Sequence, residues 1–326
     1  MQRLSIVLFF FVSTWMPELI MAAEQKPDYA IVIHGGAGNA PTDQGFIEAR
    51  ERVLEQALST GTAILDKGGT SLDAVEQVIR ILEDSPLFNA GRGGVLTAKG
   101  HNELDATIMN GETRACGAVG GVTTVKNPIS LARRVMTETR HVLLAAEGAD
   151  AFAQQLNDPA VEIVDPAYFR TKRQAERLKR LKEREKLTPE EQMGTVGCVA
   201  LDRHGNIAAG TSTGGLVNKK HGRLGDSPIV GAGTYADNST CGISCTGVGE
   251  DFIRNVIAYD IHARMHYRKQ NLDTAISQVL KSKEHPIHGG IIGVDRRGNI
   301  TMQFNSGGMA RAAADSTGLR VIEAGK

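Results

Sequence analysis

The sequence predicts an α+β protein in which sheet packs on sheet and helices cover the outside. Three observations carry that prediction. Short apolar runs end in glycine turns, as where Tyr29 to Ile33 leads into His34-Gly35-Gly36-Ala37-Gly38. Segments with helical periodicity lie between such runs. A strand–turn–strand pattern also occurs twice: Val199 to Ile207 and Ile292 to Ile300 share the turn Asp-Arg-x-Gly-Asn. Two such hairpins plus the N-terminal strands require large antiparallel or mixed sheets, whose outer faces helices must cover.

Element by element, Tyr29–Ile33 reads as a buried strand. Residues 45–66 have helical period. A second helix spans about Leu72 to Glu83, with Thr70 and Asp73 at capping-box spacing and Pro86 beyond its end. Phe88-Asn89-Ala90-Gly91-Arg92-Gly93-Gly94 is a glycine-rich loop. Residues 103–109 read as a strand reaching the turn pair Asn110-Gly111. The next strand runs from Ala115 to Val125, and helices continue to about residue 157. Residues 168–192 are dense in Lys, Arg, Glu and Gln with almost no apolar face. They read as a solvated helix or linker, a place for the chain to be loose or cut. Gly194 to Leu201 then switches abruptly to a buried strand, which marks an internal boundary.

Composition excludes several function classes. Lys plus Arg and Asp plus Glu are both 37, so no basic excess supports nucleic-acid binding. Glycine is 37 of 326 residues, against a usual share of about 7 %, without a collagen period. At the N-terminus, Arg3, the apolar run Leu4 to Val12 and the small residues Ala22 and Ala23 read as a secretory signal over residues 1–23. Pro17 and Glu18 interrupt the run short of the roughly 20 residues a spanning helix needs, and no later segment approaches that length. Export to the periplasm, with no membrane attachment after signal removal, is therefore expected. Of the four cysteines, Cys241 and Cys245 are close enough in sequence for a bridge to be considered. The simpler reading is that all four, Cys116 and Cys198 included, are small buried hydrophobes. No Walker-type loop, complete G-x-G-x-x-G or H-E-x-x-H motif is present, and His262 and His266 read as ordinary surface histidines.

The chemistry gathers around Thr195. A threonine hydroxyl is a weak nucleophile without an adjacent base. A threonine at a chain terminus has one in its own α-amine, with a reference pKa of about 7.7–8.0. Thr195 is internal, so the Gly194–Thr195 bond must first be cut. Within the next 55 residues or so lie Thr211 to Gly215, Gly222 to Pro228 and Ser244 to Glu250, turn-rich segments that supply hydroxyls and exposed amides. Arg223 and Asp226, three apart in a glycine-bounded loop, suit a zwitterion: a guanidinium fork for a carboxylate and a carboxylate for an ammonium. A plain loop ion pair is the alternative.

Together with His34 to Gly38, Phe88 to Gly91 and Gly194 to Gly197, these segments resemble the plant-type L-asparaginase and isoaspartyl peptidase family of N-terminal nucleophile hydrolases. The resemblance covers nearly all of the chain beyond the signal. It implies an α+β four-layer αββα sandwich and autocleavage between Gly194 and Thr195. The α subunit would be residues 24–194, with a charged linker at about 158–193, and the β subunit residues 195–326. The two would share one domain and associate as an (αβ)2 heterotetramer. It implies hydrolysis of L-asparagine and β-aspartyl dipeptides to L-aspartate. Thr195 would be the nucleophile, and Thr213 would assist it. Thr246 and the Gly247 amide would form the oxyanion hole, and Asn89 would orient the Thr195 amine. Arg223 would hold the substrate carboxylate, and Asp226 with the Gly249 carbonyl its amino group. No cofactor is implied for catalysis, but a structural Na+ on the carbonyls of Leu82, Glu83, Ser85, Phe88, Ala90 and Arg92 is. Two alternatives remain: a glycosylasparaginase-like hydrolase, whose usual acidic residue before the nucleophile is here Met193-Gly194, and a non-catalytic secreted amino-acid-binding relative.

Overall fold

The computed structural model describes residues 26–183 and 194–325; the expected signal at 1–23 and the last ten residues before Gly194 lie outside them. The first half runs β1 (Ala30–Gly38), α1 (Gln44–Asp66), α2 (Ser71–Asp84), β2 (Leu104–Asn110), β3 (Cys116–Val122), α3 (Pro128–Glu138), β4 (Leu143–Ala145), α4 (Ala146–Leu156) and α5 (Lys172–Lys182). The second half runs β5 (Val196–Leu201), β6 (Ile207–Thr213), β7 (Thr234–Ala236), β8 (Cys241–Gly247), α6 (Gly249–Asn255), α7 (Ile257–Arg268), α8 (Leu272–Leu280), β9 (Gly289–Asp295), β10 (Ile300–Phe304), β11 (Gly308–Asp315) and β12 (Arg320–Glu323).

Two sheets form. Eight strands are ordered β12-β11-β1-β5-β6-β2-β3-β4, and four are ordered β10-β9-β8-β7. All pairs are antiparallel except β3 with β4. Alternation along β1 shows how the chain builds two cores. Ile31 and Ile33 face a cluster with Leu54 and Leu58 of α1, Val78 and Ile79 of α2 and Ile129 of α3. Ala30 and Val32 face a second cluster with Ile243 and Cys245 of β8, Ile291 and Val294 of β9, and Phe252, Ile261 and Ile276 of α6, α7 and α8. Successive strand residues point to opposite faces, so one strand serves both cores. With both faces covered, β1 has no polar alternation, which is why it reads as a continuous apolar run.

Local signals explain the element ends. Thr70 caps α2 by accepting the Asp73 N–H at 3.1 Å, and its hydroxyl donates to Asp73 Oδ2 at 2.7 Å. The repeated Asp-Arg-x-Gly-Asn segments make the same turn. Asp202 Oδ1 accepts from the backbone N–H groups of His204 and Asn206, and Asp295 Oδ1 from those of Arg297 and Asn299.

Three sequence expectations are corrected, the solvated charged stretch, the burial of Cys116 and the surface placement of His262, and the open question of a Cys241–Cys245 bridge is answered. The charged stretch is not solvated all round: Phe169, Leu178 and Leu181 are buried, the two leucines against Val95, Leu96 and Val217. Its apolar positions are few but fall on one helical face, so the expected linker at about 158–193 includes α5. All four cysteines are free. Cys241 and Cys245 stand four apart on one strand, about 13 Å apart, beyond the roughly 7 Å limit for a bridge. Cys116 is only half-buried, whereas the other three fill core positions. His262 is not a surface group but is buried, with Nδ1 2.6 Å from the Thr240 hydroxyl.

Candidate active site

Strand pairing brings the hydroxyls together. β5 starts one residue after Thr195 and β6 ends at Thr213, and the two pair antiparallel with Val196 opposite Ser212. Thr195 Oγ1 therefore sits 3.2 Å from Thr213 Oγ1 and 2.6 Å from the Gly194 carbonyl oxygen. That carbonyl also accepts from Thr213 Oγ1 at 3.1 Å and from Asn89 Nδ2 at 2.7 Å. Three groups thus converge on the carbonyl of the Gly194–Thr195 bond. Gly194 adopts φ +149°, and a Cβ there would lie 3.0 Å from Asn89 Cβ, so this position favours glycine.

Asn89 is fixed from several directions. Its Nδ2 also donates to the Gly215 carbonyl at 2.8 Å, and its Oδ1 accepts the Val95 N–H at 2.9 Å. Those partners decide which end of the amide faces Gly194. The resemblance puts Asn89 on the Thr195 amine, whereas in the continuous chain it holds the Gly194 carbonyl. The nitrogen of a peptide bond is a donor without basic character, so the carbonyl is what the Asn89 donor can grip.

The predicted zwitterion residues lie beside the threonines. Gly194, Thr195, Thr213, Arg223, Asp226 and Gly247 line one cleft. Arg223 forks onto Glu250, with Nε and Nη2 each 2.9 Å from a carboxylate oxygen. The Arg223 guanidinium holds the Glu250 carboxyl below its ordinary range. Nη1, outside that fork, lies toward Gly215 and Gly225. Asp226 is buried, and its Oδ2 has no hydrogen-bond partner among the described residues. Burial pushes its carboxyl up to about 7, against the pull of Arg223. Gly249 sits between the two: a Cβ there would be 2.8 Å from Arg223 Nη2 and 2.9 Å from Asp226 Oδ1. Thr246 is buried on β8, and its Oγ1 accepts the Ala37 N–H at 3.3 Å. This bond engages the oxygen and leaves the hydroxyl proton to donate elsewhere.

Two features went unseen in the sequence. Glu250 closes the turn-rich segment that starts at Ser244, but no spacing shows that it reaches Arg223, 27 residues away. A buried Lys219 donates to the Glu103 carbonyl at 2.9 Å and stands 4.0 Å from Asp105 Oδ2. Asp105 is opposite Thr213 in register, so this pair lies behind the threonines. Only the sheet order exposes that relation.

The carbonyl loop is also tightly drawn. A Cβ on Gly93 would collide with the Phe88 carbonyl oxygen and lie 3.0 Å from that of Ser85, and one on Gly91 would collide with that of Glu83. The Glu83 side chain is buried and accepts from the Ser212 hydroxyl at 2.6 Å; burial pushes it up to about 8. No group of three or more His, Cys, Asp or Glu placed to hold a metal ion occurs among the described residues.

Comparison with known proteins assigns the family. Residues 27–323 match the family model described as asparaginase. The chain belongs to this asparaginase family. It is 44 % identical to an isoaspartyl peptidase of Escherichia coli, covering 86 % of this chain and 91 % of the relative. It is 43 % identical to a plant-type L-asparaginase of Pyrococcus furiosus, covering 91 % and 99 %. It is 40 % identical to an isoaspartyl peptidase/L-asparaginase of Danio rerio, covering 87 % and 91 %. This asparaginase-family chain thus spans nearly the full length of each.

Proposed function

We propose that this asparaginase-family chain cuts itself between Gly194 and Thr195 and then hydrolyses β-aspartyl dipeptides and L-asparagine, releasing L-aspartate. The observation that carries the reading is the Thr195 hydroxyl beside its own preceding carbonyl, in a cleft shared with Arg223 and Asp226. In the first step Oγ attacks the Gly194 carbonyl carbon. Negative charge builds on an oxygen that Asn89 Nδ2 and Thr213 Oγ1 already contact, the arrangement that stabilises such an oxyanion. The Thr195 nitrogen takes a proton and leaves as an amine, and water hydrolyses the ester.

The freed amine then serves as base for Oγ. Oγ attacks the side-chain carbonyl of the substrate, with the Thr246 hydroxyl and Gly247 N–H as oxyanion donors. The amine passes its proton to the leaving nitrogen, so ammonia or an amino acid departs from an aspartyl ester on Thr195. Water cleaves that ester. Arg223 Nη1 and Nη2 face the α-carboxylate, while Asp226 and the Gly249 carbonyl take the α-ammonium. In a denaturing gel the purified protein should give two unequal chains, the smaller beginning at Thr195, and L-aspartate should accumulate from either substrate. One persistent band with no aspartate would overturn the proposal.

Arg223→Lys keeps the charge but loses both the Glu250 fork and the planar grip on a carboxylate. The KM for L-asparagine should rise roughly tenfold or more with kcat less affected, as for loss of binding common to ground and transition states. Unchanged steady-state kinetics would refute the role.

The wider arrangement follows the same reading. Helices α1 to α3, the two sheets and helices α6 to α8 would make the four-layer αββα sandwich. The processed unit would be an (αβ)2 assembly of chains 24–194 and 195–326, exported on residues 1–23. Carbonyl oxygens of Glu83, Ser85 and Phe88 crowd one glycine turn, which fits a structural Na+ held there with Leu82, Ala90 and Arg92. Such an ion would brace the loop that carries Asn89.

A further inference from the structure

Besides the cleft that holds Arg223 and Asp226, a second cavity of about 450 Å³ reaches Gly194. Gly194 lines both. Gly36 and Asn89 also wall the second cavity, and the Gly36 backbone packs directly on Thr195. The cavity size is that of a small-ligand site. Its charge is one-sided: Arg50, Arg173, Arg177 and Arg180 line it, and no carboxylate does among the described residues.

Arg50 is the anchor of this group. Its Nη2 donates to the Gly35 carbonyl at 2.6 Å, while its buried Nε has no hydrogen-bond partner among the described residues. The guanidinium lies 5.0 Å from the Phe88 ring centre, and those of Arg50 and Arg173 both approach Phe46, at 5.7 and 4.4 Å. Arg173 Nη1 donates to the Leu87 carbonyl at 3.1 Å. Burial, and then the like charge of Arg173, pull Arg50 down to about 10. Gathered cations with a desolvated donor are unfavourable alone and favour an anion.

We propose that this cavity is the leaving-group subsite for β-aspartyl dipeptides and that Arg50 and Arg173 hold the α-carboxylate of the residue released. The inference rests on the hydrolase reading above and adds what separates its two substrates. The aspartyl half is gripped in the same way in both. Only a dipeptide carries a second carboxylate beyond the scissile amide, and L-asparagine releases ammonia with nothing to place there. Scission at Gly194, the residue common to both cavities, frees the chain between them, while α5 stays on the segment that precedes the cut.

The test compares kcat/KM for β-aspartyl-leucine with that for the same dipeptide amidated at its C-terminus, with L-asparagine as reference substrate. The mature wild-type enzyme should prefer the free acid by roughly 10- to 100-fold, the range of a hydrogen-bonded charge. Arg173→Gln, on an exposed helix face, and Arg50→Lys should each shrink that preference several-fold. Equal rates on acid and amide in the wild type, or a preference unchanged in both variants, would overturn the subsite while continued aspartate release keeps the hydrolase reading. Aspartate from none of the three substrates would overturn the hydrolase reading and the subsite with it.

Discussion

Thr195→Ala should leave the chain in one piece and abolish hydrolysis. Both losses come from one atom. Thr195 Oγ1 is 2.6 Å from the Gly194 carbonyl oxygen, so it is placed for attack on its own preceding peptide. Alanine removes the attacking oxygen but leaves Asn89 Nδ2 and Thr213 Oγ1 on that carbonyl. Donors without a nucleophile polarise the bond and do not break it. The uncut chain also lacks the α-amine that would act as base. Loss of a nucleophile from an acyl-transfer site costs about 10⁶ in kcat in the best-measured case, so activity should fall below detection. The fold should survive, since Thr195 sits outside both apolar clusters. A denaturing gel and an aspartate-release assay check both halves. Scission of this variant at residue 194, or aspartate release by it, would remove Thr195 from its role. Thr195→Ser separates sterics from chemistry: it keeps the oxygen and should retain slow scission.

The legible parts were those that local physics decides. Thr70 and Asp73 announce the start of α2 because capping uses atoms three residues apart. The paired Asp-Arg-x-Gly-Asn turns were readable because Asp202 and Asp295 bond within four residues. β4 was missed because Leu143–Ala145 is three residues long and mostly exposed, with no periodicity to read. The buried face of α5 does not show in the sequence because Gln174, Leu178 and Leu181 are sparse amid charges. At the site, residue types pointed to Thr195, Arg223 and Asp226, since few arrangements suit an amino-acid zwitterion. The pairing of Arg223 with Glu250, the grip of Asn89 on Gly194 and the placing of Asp105 behind Thr213 depend on strand order. No spacing in the chain encodes them.

Asp226→Asn should remove one of the two acid limbs of the kcat/KM profile, the one near pH 7, while making the fold less sensitive to pH. Burial holds the Asp226 carboxyl up at about 7; Arg223 opposes this, and Glu250 and Asp105 add to it. In the free enzyme at pH 6 the group is therefore mostly protonated and neutral. A substrate ammonium needs the carboxylate and Oγ needs the free amine, so kcat/KM should rise with pH through about 7 and flatten only once the Thr195 amine has also lost its proton. The Thr195 amine, with a reference pKa of about 7.7–8.0, titrates close by, and kcat separates the two. Once the ammonium is bound, the Asp226 carboxylate is held ionised, so the limb left in kcat belongs to the amine. Asp226→Asn should lose the limb near 7 in kcat/KM and lie roughly 10²–10³-fold lower at pH 8, as when one partner of a buried charge pair is removed. Stability moves the other way. The unfolded carboxyl ionises near 3.8 and the folded one near 7, so folding favours the protonated form. Wild-type stability should fall relative to Asp226→Asn between about pH 4 and 7, with a constant gap above. Denaturant midpoints for the two proteins across that range measure the gap. Parallel curves, or a variant kcat/KM profile that keeps both of the wild type's acid limbs, would show that another group carries the titration. A variant that folds as well as the wild type or better at pH 8 yet turns over poorly would place the cost in the ammonium contact itself.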